Sequence, residues 1–374
     1  MLEDLGHASG RSRWLLQHSD APSGARIGPS IQYDGPMGET ANIAEMAKRV
    51  SDDIFEIFGW ERRGPLDENF ECCKDHRAKA TDDETTTTAG KKIKTHPSDI
   101  VFRYDDPYTN AASYLTTDLK SYGEESITKT TLGKPLKSMC QAIDCANVSE
   151  DFQQRYISGE DRWHVHGLLF VYNHDGFFRP EEFTKLVANA TPANLRAPRD
   201  RRVFVLGPGD IAHLHSVARD LMVYRGNHLN RGATYRWFTP DLIIRKSRTT
   251  SFGKAAPIET LLGPWQIAGI VHADQPQPSR LRLYYRCRGT PNVEEFEYLI
   301  EFLFRHRLLD YPIDLCLVGS EGPTLERFQA AVNNVIETLY GLDEFRARLS
   351  KIEPQVLSEF QTRFSSANIG MERA

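Results

Sequence analysis

The residues with most chemical content are Asp99, which follows Pro97 and Ser98 and precedes the strand formers Ile100, Val101 and Phe102, and the pair Asp118 and Lys120 within the run Tyr114 to Tyr122. On a β-strand, residues two apart share a face, so Asp118 and Lys120 project together while Thr117 and Leu119 point away. Antiparallel pairing of the two runs brings the Asp99 carboxylate beside Asp118. Two converging carboxylates repel unless a cation lies between them, and an oxygen-only donor set favours Mg2+ or Mn2+ over zinc. A lysine at that point positions and helps deprotonate water, or stabilises charge building on a phosphate. Phosphodiester hydrolysis needs these parts.

The elements that must position them can be read from periodicity. Ile43, Met46, Ala47, Val50, Ile54 and Ile57 recur at helical spacing, with Glu45, Arg49, Asp52 and Glu56 on the other face, which predicts an amphipathic helix ending near Gly59. Strands are expected at 69–73, 99–104 and 114–122, a helix at 134–148 and a buried strand at 163–172, where apolar residues are almost continuous. A helix at 181–190, a strand at 202–206 and a helix from an Asp210 N-cap to about Tyr224 follow. Beyond about Glu259, strands at 265–272 and 281–288, a helix at 293–307, a strand at 313–318 and a helix at 324–341 form a second unit. The order is α/β. The Gly-, Ser- and Pro-rich stretch 1–38 is expected to be a flexible arm.

Asp at the start of one strand and Asp-x-Lys on the next, after an amphipathic helix and before a helix and a buried strand, resembles the PD-(D/E)XK nuclease superfamily over roughly residues 43–172. The resemblance implies a restriction-endonuclease-like mixed sheet flanked by helices at 39–255; the ββαβα order beyond it suits a smaller C-terminal α+β domain at 256–374. It implies Asp99 and Asp118 as metal ligands, the Leu119 carbonyl as a third, and Lys120 as the catalytic lysine. It also implies an acid on the first helix, either Asp53 or Glu56. Gln141, on the helix after the strands, is read as a solvated residue.

Other motifs compete. His164 and His166 share a strand face and resemble the His-hydrophobic-His element of HUH endonucleases, with Tyr224 as the candidate nucleophile. His213 and His215 lie on a predicted helix, where residues two apart diverge, and are expected at the surface. Gly207-Pro208-Gly209 is a turn and cap rather than a dinucleotide fingerprint. The six cysteines contain no Cys-x-x-Cys pair and no second cluster to complete a tetrahedral zinc site, so reduced thiols of a cytoplasmic protein are expected.

The net charge of −5 over 374 residues excludes a nonspecific nucleic-acid coat but not a confined basic cleft. Such a cleft is expected at 231–254, where Arg231, Arg236, Arg245, Lys246, Arg248 and Lys254 face a single acid, Asp241, and Tyr235, Trp237 and Phe238 offer stacking surfaces. Arg196, Arg199, Arg201 and Arg202 form a second basic cluster. No apolar run reaches membrane-span length and no signal-peptide pattern opens the chain. The sequence therefore points to a Mg2+- or Mn2+-dependent DNA endonuclease of bacterial restriction or anti-phage defence. Aromatics at Phe296, Tyr298, Phe302 and Phe304 add a surface for a homodimer or a partner protein. An HUH enzyme and an inactive nuclease-fold scaffold or DNA-binding subunit are the rival readings.

Overall fold

The computed structural model describes residues 37–77, 92–157, 159–190, 201–227, 232–241, 251–272, 275, 277–287, 289–320, 322–338 and 343–359, with 37–46 described by backbone alone. The expected arm lies outside these residues except for its last two, which open the first helix.

The elements run α1 (Met37–Ile57), β1 (Glu61–Arg63), β2 (Glu68–Glu71), β3 (Thr95–Ser98), β4 (Ile100–Asp106), β5 (Ala111–Tyr122), α2 (Lys129–Ala146), α3 (Glu150–Tyr156), β6 (Trp163–Asn173), α4 (Pro180–Ala190), β7 (Val203–Leu206) and α5 (Pro208–Gly226). They continue with β8 (Thr234–Phe238), β9 (Phe252–Gly253), α6 (Ile258–Leu261), β10 (Trp265–Val271), β11 (Arg280–Arg286), α7 (Val293–Arg305), β12 (Ile313–Val318), α8 (Thr324–Thr338), α9 (Asp343–Leu349) and β13 (Pro354–Leu357). Among the described residues no helix is long and apolar enough to cross a membrane.

The first sheet has the order β1-β4-β5-β6-β7, antiparallel from β1 to β5 and parallel from β5 to β7, while β2 and β3 form a separate hairpin. Helices cover both faces. Val50, Ile54 and Phe55 of α1, Phe58 just after it, and Ile211, Leu214 and Leu221 of α5 pack with Ile100, Phe102, Leu115, Leu168 and Phe170. On the other face α2, α3 and α4 meet Val101, Tyr114, Val165, Leu169 and Val171. Helix α2 starts before the expected Lys134 because Thr128 and Thr131 cap it reciprocally: Thr131 N donates to Thr128 Oγ1 at 3.3 Å and Thr128 N donates to Thr131 Oγ1 at 2.9 Å. It lies so close to β6 that a Cβ at Gly167 would meet Met139 at 2.5 Å.

The second sheet runs β13-β12-β11-β10-β8-β9 and takes β8 from before residue 255. One face packs on α7, α8 and α9 through Phe296, Leu299, Phe328, Val332 and Leu349. The other contributes Trp237, Ala268, Tyr284, Cys316 and Val318 to the core that α1 and α5 share with the first sheet. Helix α5 is therefore apolar on most of its circumference, and His213 and His215, expected at the surface, are 1% and 5% exposed. His213 Nε2 lies 2.6 Å from Gln266 Oε1. Asp210 is not the N-cap but sits in the first turn, where it accepts from Gly207 N at 2.9 Å and pairs with Arg286.

The end of α1 is fixed by Gly59, which has φ of +79°. Its N–H donates to Glu56 O, the Trp60 N–H donates to Phe55 O, and Ala256 N donates to Phe58 O at 2.9 Å. A Cβ at Gly59 would lie 2.3 Å from the Lys254 carbonyl oxygen, a backbone atom that cannot swing aside. Gly59→Ala is expected to cost about 1–3 kcal/mol and to lower the thermal midpoint by several degrees; an unchanged midpoint would mean that the Lys254–Ala256 segment yields freely.

Candidate functional site

Asp99 sits at the entry to β4. The register pairs Ile100 with Thr117, so Asp99 falls opposite Asp118, and its N–H donates to Thr117 O at 3.1 Å. Side chains opposite one another across an antiparallel pair share a face, here the face covered by α2 and α4. The Leu119 N–H donates to Asp99 Oδ2 at 2.7 Å. Because the N–H and C=O of one residue leave a strand on the same side, the Leu119 carbonyl is directed to the edge that Asp99 occupies. Lys120 Nζ donates to Asp118 Oδ1, and its side chain is 33% exposed against 11% for Asp118. Ser98 Oγ lies 2.9 Å from Thr116 Oγ1 and Asp67 N donates to Asp99 O at 2.9 Å, which holds the β3–β4 junction against β5.

The electrostatics follow from burial and convergence. Asp99 is pushed up to about 6, first by burial and then by the neighbouring Asp118 carboxylate, against the opposing pull of the Leu119 N–H and Lys120. Burial pulls Lys120 down, yet Asp118 and Asp99 outweigh it and hold its ammonium above the ordinary lysine range. A carboxylate that ionises reluctantly beside another has the donor chemistry of a hard divalent cation site, and the oxygens of Asp99, Asp118 and the Leu119 carbonyl fit Mg2+ or Mn2+.

The first-helix acids are not brought to this point. Helix α1 packs on the opposite face of β5, Asp53 Oδ2 lies 3.7 Å from His215 Nε2, and Glu56 is exposed. Among the described residues the charges acting on Asp99 are Asp118 and Lys120. Gln141 is half-buried on α2.

His164 and His166 do share a face, with ring centroids 6.3 Å apart, but it is the face of Leu168 and Phe170, opposite to Asp118, and they lie at the other end of the strand pair. His166 Nδ1 accepts from Arg202 N at 3.2 Å. Burial first, then His164 and Arg202, push His166 down to about 4. Tyr224 is elsewhere: the Arg282 guanidinium lies over its ring at 4.6 Å, and its charged surroundings are Asp314, Arg282, Arg280 and Asp220. The HUH constellation is not assembled.

The expected basic cleft is only partly described. Arg231, Arg245, Lys246 and Arg248 lie outside the described residues; Arg236 is half-buried on β8 and Lys254 is exposed. The aromatics there are core and not stacking platforms, since Trp237 and Phe238 are 0% and 4% exposed and Tyr235 OH donates to Leu221 O. Of the second cluster, Arg196 and Arg199 lie outside the described residues, while Arg201 pairs with Asp144 at 3.6 Å and Arg202 with Glu259 at 3.1 Å.

The six cysteines are free thiols, and tertiary packing groups two of them in a way that their spacing does not show. Cys72 and Cys145 come together with His76 and His96, all four ligand atoms lying within 4.8 Å of one another. Spacing gave no signal because the four residues come from a hairpin, its flanking loop and a helix far along the chain.

Residues 37–210 match the family model of the GAPS4 protein PD-(D/E)XK nuclease domain, a segment that opens with α1, includes Asp99, Asp118 and Lys120, and ends in the first turn of α5. The resemblance read from the two motifs is borne out over that segment, and the mixed sheet flanked by helices is the expected architecture. No curated protein matches the sequence. Among solved structures, the central domain of yeast acetyl-CoA carboxylase is similar over 66% of this chain and 35% of its own, at 11% identity and a TM-score of 0.20. This chain thus spans about a third of that structure's length, and the likeness carries no argument.

Two outcomes follow from the electrostatics of Asp99 and of His166. A carboxyl held near 6 instead of 3.8 costs the metal-free protein up to about 3 kcal/mol at neutral pH, so Asp99→Asn is expected to raise the midpoint in EDTA; equal midpoints in EDTA would contradict the repulsion. For His166, whose folded value lies near 4 against 6.5 unfolded, stability is complete above pH 6.5 and falls as pH drops through that window, by up to about 3 kcal/mol. Urea titrations across that window should show a flatter acid limb for His166→Gln, and an identical limb would contradict its burial as the neutral base.

Proposed function

We propose that this chain is a metal-dependent DNA endonuclease whose centre is Asp99, Asp118, the Leu119 carbonyl and Lys120. The observation that supports this reading best is the cross-strand pair Asp99 and Asp118 with Lys120 bound to the second carboxylate, inside a segment similar to a nuclease domain.

The division of labour follows from the contacts. A bound Mg2+ or Mn2+ supplies an activated water and neutralises the phosphate. Asp99 and Asp118 hold that cation, and the Leu119 N–H fixes the rotamer of Asp99 so that its other oxygen stays available. Lys120, kept as an ammonium by Asp118, donates hydrogen bonds to a phosphate oxygen or the attacking water and stabilises the charge of the transition state. The remaining expected parts belong to the same proposal: basic residues of 231–254 as the nucleic-acid surface, and a homodimer or protein partner seated on α7, where Tyr298 and Phe304 are 62% and 38% exposed. A role in restriction or anti-phage defence fits a nuclease that must be gated to spare its own genome.

Plasmid cleavage is expected to require Mg2+ or Mn2+ and to disappear in EDTA. Asp118→Ala and Lys120→Ala should each lower the rate by at least about 100-fold with the fold intact, while the double change His164→Ala with His166→Ala, and separately Tyr224→Phe, should retain cutting. Loss of cleavage in Tyr224→Phe with protein covalently attached to DNA in the wild type would replace this reading by the HUH mechanism. Inactivity of the wild type with its partner on every DNA form tested would leave the scaffold reading.

A further inference from the structure

We infer that Cys72, His76, His96 and Cys145 form a structural zinc site that ties the β2–β3 hairpin to α2. Cys72 Sγ lies 3.8 Å from Cys145 Sγ, His76 Nδ1 lies 3.6 Å from each sulfur, and His76 Nδ1 lies 3.3 Å from His96 Nε2. A tetrahedral zinc with Zn–S of about 2.3 Å and Zn–N of about 2.0–2.1 Å has edges of roughly 3.8 Å between sulfurs, 3.6 Å from sulfur to nitrogen and 3.3–3.4 Å between nitrogens. All three kinds of edge agree, and the two remaining, from His96 to the sulfurs, are no longer than 4.8 Å.

The surroundings are those of a closed site. His96 and Cys145 are 1% and 0% exposed, and the Phe70 ring packs against His96 at 5.4 Å. His76 turns its other nitrogen, Nε2, to Asp144 Oδ2 at 3.3 Å, and Asp144 is itself held by Lys74 Nζ at 2.6 Å. A carboxylate behind a ligand histidine puts the proton on the far nitrogen and leaves the Nδ1 lone pair for the cation. Cys72 Sγ also lies 3.2 Å from the Lys74 carbonyl oxygen, where a thiol proton is received in the metal-free chain. Four protein ligands leave no open position for a reacting water, so the role is structural.

The position gives the site its purpose. A lone two-stranded hairpin is marginal in water, and β2–β3 pairs with neither larger sheet. His96 stands on β3 three residues before Asp99, and Cys145 is in the last turn of α2. The cross-link therefore clamps the strand that delivers Asp99 against the helix covering the Asp118 face. Two thiolates and two imidazoles suit zinc and not Mg2+, so this site and the carboxylate site can be tested separately.

The full chain, purified under reducing conditions without chelator, should carry about one zinc per molecule by elemental analysis. Exchange with Co2+ should give the visible absorption of a tetrahedral cobalt thiolate. Cys145→Ser and His96→Gln should lose both signals; if they fail to fold, the cobalt spectrum of the wild type decides. Cys73→Ser and Asp118→Ala should keep the zinc, and the latter separates this site from the fate of the nuclease reading. Substoichiometric zinc that does not rise on reconstitution, iron in its place, or a Cys72–Cys145 disulfide in a metal-free chain would overturn the assignment.

Discussion

The repulsion between the Asp99 and Asp118 carboxylates is the constraint around which the first sheet is arranged. Left free, two such groups would separate into solvent. Here the antiparallel register of β4 and β5 sets them opposite one another, the Leu119 N–H holds one, and Lys120 holds the other. The Ser98–Thr116 contact and the Asp67–Asp99 backbone bond fix the junction from which Asp99 departs. Burial beneath α2 and α4 raises the cost of leaving the pair uncompensated.

Second in importance is the way the two sheets share one interior. Phe58, in the turn after α1, stacks on Trp237 of β8 with centroids 4.3 Å apart, and the Trp60 indole N–H donates to Ala256 O at 2.7 Å. On the far side of α5, Asp220 accepts from Arg282 at 2.6 Å and from the buried Tyr284 hydroxyl at 2.6 Å. A buried ion pair of this kind contributes little net stability, but removing one partner strands the other, so it fixes the placement of α5 on the second sheet.

What could be read from the chain depended on whether the signal was local. Period two placed Asp118 and Lys120 on one face, and the apolar run after Asp99 marked a strand whose antiparallel pairing brings it to Asp118. The strand at 313–318 and most other elements were legible for the same reason. Where elements are buried on several sides, amphipathicity vanishes: α5 looked like a surface helix with exposed histidines, and the aromatics of β8 looked like a binding platform when they are core. The first-helix acids, expected from the resemblance, lie across β5 from Asp118, since periodicity gives a face and not the side of the sheet on which a helix lands. The Cys72, His76, His96 and Cys145 cluster was invisible because its members meet only through tertiary packing.

The segment similar to nuclease domains ends at Asp210, the third residue of α5. The remaining turns of that helix supply Leu214, Val217, Ala218 and Leu221 to the interior between the sheets. A recombination point at residue 210 would thus divide a helix whose far side is already lined by the second sheet, exposing Trp237, Ala268 and Tyr284 on one fragment and Leu168 and Phe170 on the other. The segment that sequence similarity outlines is thus smaller than the hydrophobic core it belongs to, and the second sheet forms one wall of that core.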